Sequence, residues 1–456
     1  MNDSPTLVAV AMALSLLLGT VFLGYLVSLV VCFVRNRAQP PGDHTQFEWH
    51  ILVPCLNEAA VVGESLRRLR SEFPTLHIWA IDDDSDDATA DIIRAHQKND
   101  IRIHLVARRA PHARTGKGDA LNAAYQALCD WLPDGLSPDR VIVGVFDADG
   151  VPAPGLLDTI AADHLFGSQD VAAVQIEVRM LNRDEQHPVP GAGRLRNLAA
   201  RTLVRMQDME FRTTGAAVQL GRRATRTVAL GGNGQFARLS ALHAVSDDLG
   251  PWGSSLLEDY ELGLRLKLAG HNSAFTRDTW VGQEALWSLR QLLTQRVRWG
   301  QGTMQCVRYM PHVWRSRTMT TAGVLEIAYS VFQPWFQLFA SILYPLLLML
   351  LVLRYAAHPE VINSFLADGG WGLLPAYFVF GVAQFGLWGP LYWRRCEPQA
   401  GFWRSLGWGF AYSAYIWLYW IATWRALARF TDGRNTWAKT RRNAEIAAIH
   451  EARAGS

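Results

Sequence analysis

Two carboxylates separated by one residue, Asp147-Ala148-Asp149, close the apolar run Val141-Ile142-Val143-Gly144-Val145-Phe146. A run this short and rich in β-branched residues reads as a buried strand, which puts both acids at its carboxyl end. There they can offer hard oxygen ligands to Mg²⁺ or Mn²⁺, with substrate phosphates and water completing the shell. Taken alone, Asp-x-Asp-Gly reads first as an ordinary turn, because Asp and Gly are turn residues. Other chemically capable groups accompany it. Pro54-Cys55-Leu56-Asn57-Glu58 ends an earlier strand, and Asp82-Asp83-Asp84-Ser85-Asp86-Asp87 ends the next. The acidic run also reads as a solvated loop, with Asp87 capping the following helix. Thr115-Gly116-Lys117-Gly118 leads into a helix, where an ammonium, backbone N–H groups and the helix dipole can meet a phosphate, although the Walker A spacing is absent. Gly231-Gly232-Asn233-Gly234-Gln235 is either a close approach to a ligand or a turn. Glu258-Asp259 opens a helix, whose N-terminus favours acids in any case. Gln295-Arg296-Val297-Arg298-Trp299 lies on a basic amphipathic segment of the kind that rests on membrane interfaces.

The elements that must position these groups alternate. Strands are expected at Trp49 to Cys55, Leu76 to Ile81, Ile101 to Ala107, Val141 to Phe146 and Val171 to Val178, with helices at Ala59 to Ser71, Ala88 to His96 and Asp119 to Trp131. Alternation of this kind predicts a mostly parallel sheet wrapped by helices, which binds ligands at the carboxyl edge of its strands. Arg194 to Leu220 reads as one long or broken helix.

Half of the 456 residues are hydrophobic, and they are unevenly spread. Leu7 to Val34, Ile327 to Leu353, Gly369 to Trp393 and Ser405 to Trp424 carry no charged residue, and each reaches the roughly 20 residues that cross a bilayer. The expected organisation is an N-terminal anchor (1–36), a globular domain (37–285), an amphipathic interface region (286–322), C-terminal membrane helices (323–428) and a basic tail (429–456). The first run lacks a basic leader and a cleavage pattern, so it is expected to stay as an anchor. Arg35 and Arg37 follow it, which places the globular domain in the cytoplasm of a multi-pass plasma-membrane protein. Three later crossings would put the tail outside, against its Arg425, Arg429, Arg434, Lys439, Arg441 and Arg442; an interfacial segment or a break near Pro334-Trp335 would resolve this. A net charge of +3 gives no sign of a nucleic-acid partner. Five cysteines without a C-x-x-C fit free thiols better than disulfides or zinc.

In motif order the chain resembles the membrane-embedded, inverting family 2 glycosyltransferases, the group of cellulose, chitin, hyaluronan and poly-N-acetylglucosamine synthases. The motifs are Pro54-x-x-Asn57-Glu58, Asp82-Asp83, Lys117-Gly118, Asp147-x-Asp149, Glu258-Asp259 and Gln295-x-x-Arg298-Trp299, covering roughly Trp49 to Gln305. The resemblance implies a glycosyltransferase-A, Rossmann-like α/β domain joined to a helical membrane region. It implies that Asn57, Glu58, Asp83 and Lys117 line the nucleotide pocket of a nucleotide-sugar donor, a UDP-sugar in the first instance. Asp147 and Asp149 would contact the sugar-nucleotide, with Asp149 the direct ligand of Mg²⁺ or Mn²⁺. Asp259 would be the general base beside Glu258. Arg298 would approach the pyrophosphate, Gln295 would help close the site, and Trp299 would stack on the acceptor sugar. Gly234 and Gln235 fall in the acceptor-side loop. One departure stands out: Asp84 occupies the glycine of the family's Asp-Asp-Gly-Ser loop. The implied activity is processive synthesis of a β-linked polysaccharide, or transfer to a membrane lipid as in ceramide glucosyltransferase-like enzymes. A transporter is the reading of another class, disfavoured by membrane runs without charges.

Overall fold

The computed structural model describes residues 4–373, 375, 378, 383–434 and 443. Helix α1 (Ser4–Arg35) precedes an eight-stranded sheet of order β3-β2-β1-β4-β7-β6-β8-β5. Its strands are β1 (Glu48–Cys55), β2 (His77–Asp83), β3 (Ile103–Arg108), β4 (Val141–Val145), β5 (Val151–Pro152), β6 (Val171–Met180), β7 (Gln235–Arg238) and β8 (Asn272–Gln283). Neighbours among β1 to β4 are parallel. β7 runs antiparallel to both β4 and β6, and β5 antiparallel to β8. The sheet is therefore mixed, and it stays mostly parallel in strand direction, because β6 and β8 run the same way as β1 to β4 and only β5 and β7 oppose them. Regular β-α alternation stops after β4, and β7 is reached through a long helical rod and a glycine loop instead of a standard crossover.

Both faces of the parallel half are covered. Leu66 and Leu69 of α2 (Val62–Glu72) and Ile93 of α3 (Thr89–Asn99) join Ile51, Val53 and Ile78 in one core. Leu121 and Leu128 of α4 (Lys117–Trp131) join Leu52, Trp79 and Val143 in the other. Alternate residues of each strand thus enter different cores, which is why these strands read as continuous apolar runs.

The expected long helix is a rod of α5 (Arg194–Met209), a π-helical turn (Glu210–Gly215) and α6 (Ala216–Thr225). Then come α7 (Glu258–Leu268), α8 (Leu289–Gln305), α9 (Thr321–Ala357), α10 (Trp388–Arg395), α11 (Phe402–Ile416) and α12 (Leu418–Thr431). Among the described residues, two stretches are long and apolar enough to cross a membrane, Ala13–Arg35 in α1 and Thr321–Ala357 in α9. They expose Leu17, Val21, Ile342 and Leu348, and they meet where the Tyr25 and Tyr329 rings lie 5.1 Å apart. α9 continues through Pro334 and Pro345, so the break considered near Pro334-Trp335 is absent. The run 369–393 falls partly outside the described residues, as do Lys439, Arg441 and Arg442 of the tail. Ser405 to Trp424 is divided at Trp417 between α11 and α12, each shorter than a single crossing requires.

Candidate active site

The carboxyl ends of β1 and β2 present two loops that lock each other. Asn57 at the end of β1 and Asp84 after β2 both adopt left-handed backbone, with φ of 55° and 64°. Asn and Asp tolerate this conformation better than most residues, so Asp84 keeps the backbone that glycine supplies elsewhere. Asn57 accepts the Asp86 N–H through Oδ1 at 2.8 Å, and its own N–H donates to Ser85 Oγ at 3.0 Å. The Glu58 N–H donates to Thr89 Oγ1 at 2.7 Å, and half-buried Pro54 is the penultimate residue of β1 before this loop. Helix α3 starts one residue later than expected, yet Asp87 still accepts the Thr89 N–H at 3.0 Å. Asp82 accepts from Ser85 N at 3.1 Å and from Arg109 at 2.7 Å. Asp83 pairs with buried Arg108 at 2.5 Å and accepts the Arg114 N–H at 3.0 Å.

Lys117 is the centre of the arrangement. Placed at the first turn of α4, its Nζ donates to Asp147 Oδ1 at 2.7 Å and to the Gly232 carbonyl at 3.0 Å, and lies 3.8 Å from Glu258 Oε1. A Cβ added at Gly232 would stand 3.0 Å from Lys117 Nζ and 3.3 Å from Asp259 Oδ2, so only glycine leaves this space open. Burial alone would weaken the ammonium, and the opposing charges of Asp147 and Glu258 outweigh it, holding the Lys117 pKa above its ordinary value. Burial first, and Asp259 beside it, push the Glu258 carboxyl up against the pull of Lys117. Burial likewise raises Asp259, again opposed by Lys117. Such a pair holds a proton at a pH where exposed carboxylates have lost theirs.

Asp149 Oδ2 accepts the Glu284 N–H at 3.4 Å. Among the described residues no three His, Cys, Asp or Glu side chains converge on one point. Two hard carboxylates at the loop of β4 therefore fit a divalent cation only if diphosphate and water supply the rest of its shell, the usual habit of Mg²⁺. Of the glycine loop, Gly232 and Asn233 face these groups, and Asn233 Oδ1 accepts the Asp147 N–H at 3.3 Å. Gly234 and Gln235 are built into the sheet. Gly234 donates to Val145 O at 2.9 Å with φ of 78°, and Gln235 pairs with Val145 and Gln175 in β7.

Gln295, Arg298 and Trp299 all lie on α8, partly exposed. The helix is tied to the segment before the acids, because the Leu256 N–H donates to Gln305 Oε1 at 2.8 Å. One face of the Trp299 ring is covered by the Arg296 guanidinium, 4.0 Å from the ring centroid. Sequence reasoning missed the supports: Arg108 and Arg109, which hold Asp83 and Asp82, and Gln175 and Gln283, which hold Asn233 at 2.9 and 3.0 Å. Arg108 and Arg109 carried a signal, since they end the strand that neighbours β2; the two glutamines carried none.

Residues 48–302 match the family model described as glycosyltransferase-like family 2. The chain is 31% identical over 267 residues to a beta-monoglucosyldiacylglycerol synthase of Trichormus variabilis, covering 58% of this chain and 50% of that one. It thus spans about half the length of that relative. It is 24% identical to a probable glycosyltransferase, YdaM, of Bacillus subtilis, over 72% of this chain and 71% of that one. Among solved structures it is similar to a mannosyltransferase of Pyrobaculum calidifontis in complex with GDP-Man and Mn²⁺, with a TM-score of 0.57 and 17% identity, covering 94% of this chain and 99% of that one. That likeness is one of fold. The family match covers more than half of the chain and contains the lysine-centred site, so the protein belongs to glycosyltransferase-like family 2.

Proposed function

We propose that the protein is a membrane-bound inverting glycosyltransferase that moves a hexosyl group from a nucleoside-diphosphate sugar to the hydroxyl of a membrane lipid. The observation that carries this reading is the convergence of Lys117 on Asp147, Gly232 and the Glu258–Asp259 pair. In the proposed reaction Asp259 takes the proton of the acceptor hydroxyl as its oxygen attacks the anomeric carbon. The bond from that carbon to the diphosphate breaks on the opposite face, and the electron pair leaves with the diphosphate oxygen. Inversion follows from the single displacement. Lys117 and Arg298 share the charge that develops on the leaving group, and a positioned base contributes about 10² to 10⁴ in rate. Asp149 and Asp147 would hold Mg²⁺ or Mn²⁺, which when bound supplies Lewis-acid stabilisation of the diphosphate. Asn57, Glu58 and Asp83 would shape the nucleotide end.

A lipid acceptor agrees with two apolar helices that expose their sides, and with a relative named for making a glucosyldiacylglycerol. By positive-inside reasoning the site lies on the cytoplasmic side, below Arg35. Elongation of a β-linked polysaccharide is the second reading. The rings of Trp417, between α11 and α12, Trp420 of α12 and Tyr344 of α9 stack in sequence, a surface suited to sugars, and a glucomannan 4-beta-mannosyltransferase of Oryza sativa is 22% identical over 292 residues. The test is the full chain in phosphatidylglycerol vesicles with and without dioleoylglycerol, given radiolabelled UDP- and GDP-hexoses with Mg²⁺ or Mn²⁺. Label in a chloroform-extractable monoglycosyl lipid, dependent on dioleoylglycerol, is expected. Label only in material of high molecular weight would replace this reading with the second, and no release of nucleoside diphosphate from any donor would remove both.

A further inference from the structure

Arg296 is not one of the three motif positions on α8, yet it is buried and held by several partners. It is 3% exposed, and its Nη2 donates to Glu210 Oε2 at 2.6 Å and to Tyr415 Oη at 3.1 Å. Tyr415 donates to Glu210 Oε2 at 2.6 Å, and Tyr419 donates to the other oxygen. The Glu210 carboxylate is thus held by one cation and two phenols from three different helices. Arg296 Nε and Nη1, by contrast, are buried and have no hydrogen-bond partner among the described residues. An arginine present only to neutralise Glu210 would gain by the bidentate geometry that its planar fork allows. Instead it makes one contact to the acid and sets its guanidinium carbon over the Trp299 indole, 4.0 Å from the ring centroid, which is cation–π geometry.

The opposite side of this contact is also unusual. Glu210 and Phe211 are consecutive, and consecutive side chains of a regular helix project about 100° apart. Here both reach the same face of α8, Glu210 through Arg296 and Phe211 edge-on to Trp299 with centroids 6.1 Å apart. They begin the π-helical turn Glu210–Gly215, a distortion often found at functional sites. The same rod packs against the anchor farther on, where Leu220 and Leu29 share one core.

From this geometry we infer that Arg296 and Glu210 are positioning residues for Trp299: the Glu210 carboxylate fixes the guanidinium, and the guanidinium fixes the indole that meets the acceptor. The inference rests on the proposed reaction and on the acceptor-side role that the family resemblance implies for Trp299. It extends the working part of the motif to a residue of the rod that lies more than eighty positions away in the chain.

The test uses the full chain labelled with 5-fluorotryptophan in lipid nanodiscs. Of the 18 tryptophans, Trp299 is the fluorine signal that disappears in Trp299→Phe. Arg296→Lys keeps the charge but loses the plane, and Glu210→Gln keeps the shape but loses the charge. Each should move or broaden the Trp299 signal and leave most others in place. With vesicles containing dioleoylglycerol, each should lower kcat/KM for that acceptor about ten- to hundredfold, the scale of a displacement near 1 Å, with little change in donor KM. A Trp299 signal unmoved in both variants overturns the inference. So does a general loss of signal dispersion, or a donor KM that worsens in step with the acceptor, since either marks a merely structural role. The fluorine signal needs no turnover, so a wild-type protein inert toward every acceptor would count against the proposed reaction alone.

Discussion

Lys117 Nζ lies 2.7 Å from Asp147 Oδ1, so one of the two carboxylates offered by the Asp-x-Asp spacing already holds a cation of the protein's own. In the proposed reaction a diphosphate arriving here would meet an ammonium already oriented by Asp147 and by the Gly232 carbonyl. Lys117→Met should therefore lower kcat/KM for the donor roughly 10²- to 10³-fold, the usual cost of one charge-stabilising donor. Nucleoside diphosphate release measures it. A loss below tenfold would mean that the leaving group is stabilised elsewhere.

The paired acids set the pH dependence. Burial raises both Glu258 and Asp259, and a base must be ionised to accept a proton. The acid limb of kcat/KM should therefore lie above the ordinary carboxylate range of about 4. In Asp259→Asn one of the influences raising Glu258 is gone, so the Glu258 carboxyl should titrate at lower pH. Carbon-13 shifts of labelled glutamate would report that movement, and the pH–rate profile of the wild type would report the first.

Acid should also loosen the edge of the sheet. His77 and His104, whose rings stack 5.3 Å apart, have pKa values lowered to about 4, chiefly by burial. His77 Nε2 faces the Arg102 guanidinium at 2.9 Å and its Nδ1 faces His104 Nε2 at 3.0 Å, so an added proton has no acceptor to meet. The unfolded imidazoles titrate near about 6.5, so the unfolded chain binds more protons between that pH and about 4. Stability present above about pH 6.5 is then lost as the pH falls. Thermal unfolding across that range should show Tm falling, and His104→Gln should flatten the slope.

Gly234 joins three strands. Its φ of 78° suits glycine, and a Cβ there would stand 2.7 Å from Ile176 Cγ1 and 2.9 Å from Val281 Cγ1. Gly234→Ala should destabilise the protein by about 1 to 3 kcal/mol through backbone strain and overpacking, measured as a fall in Tm. It should also slow transfer, because Gly232 and Asn233 lead into the same strand.

The parallel half of the sheet was legible because its strands are buried on both faces, which writes apolar runs such as Val141 to Val145 directly into the sequence. The acids and the lysine were legible because each sits where such a run ends or a helix begins. The antiparallel entry of β7 was not, since Gln235 to Arg238 is short and its direction depends on β4 and β6. Nor was the division of labour in the glycine loop, where a shift of one residue decides whether a side chain faces Lys117 or the core. Arg296 and Glu210 stayed hidden for a different reason: their meeting depends on helices far apart in the chain.

The loop around Asp84 also bears on how quickly a donor is captured. Arg108, Arg109 and Arg114 surround the loop proposed to shape the nucleotide end, but each is engaged by a carboxylate of Asp82, Asp83 or Asp86. The extra acid at position 84, which lies 3.8 Å from Arg109, adds to that neutralisation. Such a rim offers no cationic funnel to draw an anion from solution, and electrostatic steering is the contribution to association that salt screens. Donor association followed by stopped-flow tryptophan fluorescence should therefore not slow as ionic strength rises; a steep decline would show that these arginines act on the incoming nucleotide after all.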